Sequence, residues 1–264
     1  MAALRQFVLI MTDTQRTDMV SCYEDTGLKT PCIDALAQQG IRFTKAYTVQ
    51  PVCGPARSAI FTGQFPCLNG VYTNCAAPGL NVKTIGQRLR DKGIRTAYIG
   101  KWHLDGGDYF GLGTAPDGWD ADAWYDMRNY LEELSEEDRV RSRRKDWSEE
   151  DAPASEFTFA HRVASRAAAY LKAHADEDFF LVVSFDEPHG PSLCPQPYAS
   201  MYLDFELPKR PNVYDTLEEK PDHQKVWAGE RRFADRDAVR IRSPHFFGCN
   251  SFVDSEIGRV VAAA

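Results

Sequence analysis

Apolar positions along the chain fall into two alternating patterns. Phe7-Val8-Leu9-Ile10-Met11 is an unbroken apolar run ending in Thr12-Asp13-Thr14, the mark of a strand covered on both faces. Two later runs repeat it. Arg95-Thr96-Ala97-Tyr98-Ile99 leads into Gly100-Lys101-Trp102-His103, and Phe179 to Phe185 leads into Asp186-Glu187-Pro188-His189-Gly190-Pro191. Between the runs, apolar residues recur at helical spacing. Ile33, Leu36 and Ala37 share one face within Pro31 to Gln39, and Val82, Ile85 and Leu89 do so within Val82 to Lys92, with Gly40 and Gly93 as stops. Phe157 to His174 is helical in spacing, and Phe246, Phe247, Val253, Ile257 and Val260 mark a last helix. A further strand is predicted over Ile41 to Tyr47, whereas Pro195 to Pro244, rich in proline and charge, assigns no elements.

Strands alternating with helices predict one α/β sandwich with a largely parallel sheet. In such sheets ligands bind beyond the carboxyl ends of the strands. Those ends carry Asp13, then Lys101 with His103, then His189. Between about Asp117 and Asp151 the composition turns to charge and tryptophan, which reads as a solvated insertion. Trp119 and Trp124 within it offer either stacking faces for sugars or core.

The 264 residues carry a formal net charge of −7, which argues against a nucleic-acid-binding surface. No stretch approaches the ~20 apolar residues of a membrane span, and the N-terminal run is too short for a secretory signal. The expected location is cytoplasmic. Seven cysteines without a Cys-x-x-Cys pair suggest neither a disulfide framework nor a zinc site.

Cys53 therefore has to be judged by its neighbours. Cys53-Gly54-Pro55-Ala56-Arg57-Ser58 is followed at a fixed distance by Thr62-Gly63. Proline suits a first helical turn, so the cysteine would sit at the positive end of a helix dipole with Arg57 one turn on. Taken singly, each candidate has a structural alternative: a small buried cysteine, a surface lysine or arginine, satisfied core histidines, an aspartate cap. Together an acidic ligand, two imidazoles, two cations and a cysteine suit transfer of a tetrahedral anionic group.

These residues resemble the formylglycine-dependent sulfatases. Cys53 to Arg57 with Thr62-Gly63 is similar to the family's first signature, and Gly100-Lys101-Trp102-His103-Leu104 to its second. Leu9 to Gln15 and Pro188-His189-Gly190-Pro191 resemble two further landmarks, all in family order. The resemblance implies an alkaline-phosphatase-like three-layer sandwich and a sulfuric ester hydrolase acting on a sulfated small molecule or carbohydrate. It implies that a maturation enzyme oxidises Cys53 to formylglycine, whose hydrated aldehyde is the nucleophile. Asp13 and residue 53 would bind a divalent metal, usually Ca²⁺. Arg57 would stabilise the hydrate, and Lys101 would neutralise sulfate oxygens. His189 would protonate the leaving alcohol, and His103 would take a proton from the second hydroxyl so that sulfate leaves. An unmodified cysteine has no second hydroxyl, so a covalent sulfate on it would be trapped. Phosphonate or phosphate ester hydrolysis and a non-catalytic anion-binding remnant are the competing readings.

Some positions depart from the family pattern. Thr14 stands where a second acidic residue is common, and Gln64 where an arginine follows Thr-Gly. Asp105 replaces a glycine, as either a contact to a substrate hydroxyl or a solvated loop carboxylate. Family members usually continue beyond the last helix to further metal ligands, a second sulfate-binding lysine and a smaller C-terminal subdomain. The chain is thus expected to be the N-terminal portion of one sulfatase catalytic domain over residues 1–264, with a half-built metal site. On its own it is expected to be inactive and poorly stable, with an open sheet edge and an uncovered apolar helix face.

Overall fold

The computed structural model describes residues 5–106, 109–233 and 235–264. At its centre lie β1 (Gln6–Asp13), β2 (Arg95–Gly100) and β3 (Phe179–Pro188). They form a sheet in the order β1-β3-β2 with both pairings parallel. Met11 and Gly100 both lie beside Ser184, so the three strands finish at the same end of the sheet. The helices are α1 (Pro31–Gln39), α2 (Cys53–Thr62), α3 (Pro66–Asn69), α4 (Ile85–Arg90), α5 (Met127–Glu132), α6 (Glu136–Arg141), α7 (Phe159–Ala173), α8 (Asp222–Ala228) and α9 (Pro244–Val261).

The central strand is buried along its whole length, as its unbroken apolar sequence requires. On one face Phe179, Leu181, Val183 and Phe185 pack with Ala97 and Ile99 under Val163, Ala164 and Ala167 of α7 and Phe252, Val253 and Ile257 of α9. On the other, Phe180, Val182 and Tyr98 meet Phe61 of α2 and Trp102, Trp119 and Trp124. The result is helix, sheet, helix in three layers. Burying each of these large side chains stabilises the fold by roughly 1.5–3 kcal/mol. Asp254 of α9 also accepts the backbone N–H groups of Cys32 and Ile33, at 3.0 and 2.9 Å, and so holds the start of α1.

Three expectations need correction. Residues 41–47 form no strand: Ile41, Phe43 and Tyr47 are exposed in irregular backbone. Strand propensity is realised only where a neighbouring strand accepts the ladder, and this segment has none. The stretch from Asp117 to Asp151 is more than a solvated excursion. Trp119, Trp124, Tyr125, Met127, Tyr130, Leu131, Leu134 and Trp147 within it are buried. Its many charges mask the apolar face of α5, formed by Met127, Tyr130 and Leu131. The segment also continues the sheet: the N–H of Gly100 donates to Tyr125 O at 2.6 Å, and the N–H of Tyr125 donates to Tyr98 O at 3.1 Å. The apolar face of α9 is covered rather than bare, with Phe247, Phe252, Val253, Ile257 and Val260 all buried. Exposed apolar side chains lie elsewhere, among them Phe7 on β1, Leu36 on α1 and Trp227 on α8.

A Thr84–Gln87 capping box sets the start of α4 three residues later than the apolar spacing predicts. Among the described residues no helix is long and apolar enough to cross a membrane.

Candidate active site

The site is built where the three strands end. Gly100 has φ of 124°, and a Cβ there would lie 1.9 Å from the carbonyl oxygen of Ser184, so only glycine permits this approach. The next residue turns in: the Lys101 N–H donates to Ser184 O at 2.8 Å. The Lys101 side chain is fully buried. Its Nζ lies 2.9 Å from Asp13 Oδ2 and 2.8 Å from Asp186 Oδ1, and donates to the Tyr109 hydroxyl at 3.0 Å.

Helix α2 enters this cluster by its N-terminus. Val52 is the extended N-cap residue, and α2 begins at Cys53, two residues before Pro55, which is tolerated in the first turn. The N–H of Gly54 donates to Asn74 Oδ1 at 2.8 Å, while Gly63 in the left-handed region closes the helix. Buried Arg57 donates to Lys101 O at 2.7 Å and Ser184 Oγ at 2.8 Å, and pairs with Asp13 Oδ2 at 3.1 Å. Its guanidinium therefore ties the helix start to the strand ends.

Asp13 balances two opposed effects. Burial alone would raise its pKa, but Lys101 and Arg57 outweigh it and hold the carboxyl at about 2. Its Oδ1 accepts from Cys53 Sγ at 3.6 Å. Burial, then the Asp13 charge, push the Cys53 thiol up despite both cations. The helix start thus does not make Cys53 a ready thiolate, contrary to the dipole argument alone.

His103 sits at φ 60° and is buried, with no hydrogen-bond partner at Nδ1. Burial, then the Lys101 and Arg57 charges, lower its pKa to about 4, so it is neutral at pH 7 and able to accept a proton. His189 Nδ1 lies 2.9 Å from Gly190 O and 3.1 Å from the Tyr109 hydroxyl. Asp105 is half-buried and its Oδ2 accepts from the Leu112 N–H at 3.3 Å, so it braces its own loop. Thr14 is exposed, and its hydroxyl donates to the Asp13 carbonyl at 2.7 Å.

Ligand atoms of Asp13, Cys53 and His189 lie within 4.8 Å of one another. Asp13 Oδ2 already carries Lys101 and Arg57, which leaves Oδ1 for a cation. A hard dication such as Ca²⁺ takes six to eight oxygens. The side chains gathered here fit one corner of such a site, with Asp13 Oδ1 the clearest donor.

Sequence reasoning missed Tyr109 and Asp186. Tyr109 links Lys101 and His189 and donates to Asp186 Oδ1 at 2.8 Å. It comes from a loop, where no periodicity marks it. Asp186 could have been found as the first charged residue after the β3 apolar run. Its neighbour Glu187 is buried and accepts from the Ala160 N–H at 2.9 Å through Oε1.

Burial, then the Asp186 charge, raise the Glu187 pKa to about 8. The folded protein then holds a proton that the unfolded chain releases above about 4.5, so stability should fall as pH rises from about 4.5 to 8. Each unit of displacement is about 1.4 kcal/mol, so the fall should amount to a few kcal/mol. Urea midpoints measured at pH 5 and pH 8 should converge in Glu187→Gln. An unchanged pH slope in that variant would refute the assignment.

Comparison with known proteins bears on the family and the fold. Residues 5–264 match the family model described as Sulfatase. The chain is 47% identical over 263 residues to the uncharacterized sulfatase YidJ of Escherichia coli K12, covering 97% of this chain and 53% of that protein. Among solved structures, the phosphonate monoester hydrolase of Agrobacterium radiobacter superposes with a TM-score of 0.73 at 20% identity, over 99% of this chain and 59% of that one. A protein solved in complex with its substrate D-glucosamine-2-N,6-O-disulfate gives a TM-score of 0.62 at 22% identity, over 84% and 42%. The chain thus spans about half the length of the curated relative it matches over nearly its whole length.

Proposed function

The chain belongs to the sulfatase family, and from that premise we propose that the protein carrying it hydrolyses a sulfate ester of a carbohydrate, using residue 53 after maturation to formylglycine. The observation that carries this reading is the buried Lys101. Its ammonium is held between Asp13 and Asp186 beside Cys53 and both histidines, where a tetrahedral oxyanion would need a fixed positive charge. The carbohydrate assignment is supported by the fold neighbour that takes a disulfated glucosamine.

Formylglycine, made by a maturation enzyme, would supply a hydroxyl nucleophile and a second hydroxyl for its own regeneration. A divalent cation, proposed to be Ca²⁺, would be held by Asp13 Oδ1 and residue 53 and would supply charge to the attacking and sulfate oxygens. The rest falls to the chain's own side chains. Lys101 Nζ faces the developing negative charge. Arg57 fixes the start of α2 against the strand ends, so residue 53 is presented at a constant distance. His189, oriented by the Tyr109 hydroxyl and the Gly190 carbonyl, delivers a proton to the leaving alcohol. His103, kept neutral by burial and neighbouring cations, receives the proton that must leave residue 53.

Rates on 4-nitrophenyl sulfate and on a phenylphosphonate ester, measured with the matured protein and Ca²⁺, test the reaction class. The sulfate is expected to be the better substrate; a clear preference for the phosphonate would replace this reading with the phosphonate ester hydrolase.

A further inference from the structure

A lysine ammonium has three N–H groups to give, and three partners surround that of Lys101: Asp13 Oδ2 at 2.9 Å, Asp186 Oδ1 at 2.8 Å and the Tyr109 hydroxyl at 3.0 Å. An incoming oxyanion therefore meets Lys101 first as charge. What it gains there depends on the other charges fixed around Nζ.

Those charges cancel. Lys101 and Arg57 are the cations, and Asp13 and Asp186 are the carboxylates paired with them. Burial, then the Lys101 and Arg57 charges, keep His103 neutral at pH 7, and burial pushes Glu187 up to about 8, so it stays protonated there. The two carboxylates are not equivalent. Asp13 holds both cations through Oδ2 and turns Oδ1 to Cys53. Asp186 pairs, among the described residues, with Lys101 alone, and the hydrolysis as derived above gives it no part.

Asp186 also has no freedom to swing aside. It lies near the end of β3 and is only 7% exposed. Its Oδ1 accepts from the Tyr109 hydroxyl at 2.8 Å, and its carbonyl accepts the His189 N–H at 3.0 Å. A negative charge is thereby fixed beside the one ammonium that an ester oxyanion would approach.

A sulfate monoester carries one negative charge, whereas a phosphate monoester carries two above its second pKa of about 6. An ester oxygen in contact with Nζ would lie within about 6 Å of Asp186 Oδ1. At that separation and an effective dielectric of about 20, one unit charge changes an affinity about 100-fold. Asp186 thus offsets what the second charge of a phosphate would gain from Lys101. A cation held by Asp13 Oδ1 would favour both esters and leave the Asp186 charge where it is.

We propose that Asp186 is a specificity-determining residue, whose charge beside Lys101 holds the site to singly charged esters and turns doubly charged phosphate monoesters away. The proposal rests on the sulfatase reading for placing an ester at Lys101. Sulfate and phosphonate monoesters each carry one charge, so Asp186 does not choose between those two.

Methyl sulfate and methyl phosphate, alike in shape and one charge apart at pH 7.5, are titrated onto unmatured protein in metal-free buffer, with binding followed by amide chemical shifts. Asp186→Asn is expected to raise the affinity for methyl phosphate relative to methyl sulfate about tenfold or more, after screening. Asp186→Glu keeps the charge and should hold that ratio within about threefold of wild type. A merely structural Asp186 would weaken both esters alike; an unmoved ratio in the asparagine variant, an equal rise in the glutamate variant, or an asparagine variant that binds neither ester overturns the proposal. Should Asp186→Asn fail to fold, wild type decides. Methyl phosphate bound no more tightly than methyl sulfate upholds the proposal, and methyl phosphate bound about tenfold more tightly overturns it. Turnover of 4-nitrophenyl sulfate by matured protein is measured alongside. Its absence with the charge selectivity intact removes the sulfatase reading alone, whereas turnover with a selectivity indifferent to Asp186→Asn removes this proposal alone.

Discussion

Replacing Lys101 by methionine is expected to unfold part of the site and to remove hydrolysis together. The ammonium is completely buried and lies within 3 Å of both Asp13 and Asp186. Taking out one partner of such a network leaves charge uncompensated in a dry environment, at a cost of about 3–5 kcal/mol. Arg57 would still neutralise Asp13, but among the described residues Asp186 would keep only the Tyr109 hydroxyl as a side-chain partner. Activity should fall further than stability, because a preorganised donor facing a developing oxyanion is worth about 10²–10³ in rate. The check is a urea denaturation midpoint together with turnover measured well below the transition. Near wild-type stability with near wild-type turnover would show that Lys101 is neither keystone nor catalyst.

Changing Cys53 is expected to separate chemistry from folding. The side chain is half-buried and makes one weak contact, its thiol donating to Asp13 at 3.6 Å. Cys53→Ala should therefore leave the denaturation midpoint within about 1 kcal/mol of wild type, as most substitutions away from tight packing do, while abolishing turnover. Cys53→Ser is the sharper variant. A lone hydroxyl can attack once but has no second hydroxyl from which to expel sulfate. Rapid-mixing measurements should show at most one equivalent of alcohol released per chain and no steady state. Sustained multiple turnover by the serine variant would show that regeneration does not depend on a second hydroxyl.

The strands and principal helices were legible because their signals are local. The runs at Phe7, Arg95 and Phe179 are apolar without interruption, and a parallel sheet covered on both faces is what such runs form. Asp13, Lys101, His103 and His189 could be singled out because each follows one of those runs within a few residues. What escaped notice depended on the third dimension. Tyr109 lies in a loop and becomes part of the site only because its hydroxyl reaches Lys101, Asp186 and His189 at once. The aromatic residues of 119–134 were hidden by the charges around them, since composition averages over faces that the helix separates. Residues 41–47 misled in the opposite sense: the residue types favour a strand, but pairing is decided by neighbours. Arg57 was legible as a cation near Cys53, whereas its bonds to Lys101 O and Ser184 Oγ, which make it a strut, were not.

The account stands most directly on residue 53 as the precursor of the nucleophile. The decisive measurement pairs the mass of the peptide containing residue 53 with steady-state turnover of a sulfate ester, across preparations matured to different extents. Conversion to formylglycine makes that peptide about 18 Da lighter. Turnover is predicted to rise in proportion to the converted fraction and to extrapolate to zero for the free thiol. Turnover independent of that fraction, or a fully converted protein that hydrolyses nothing, would contradict it.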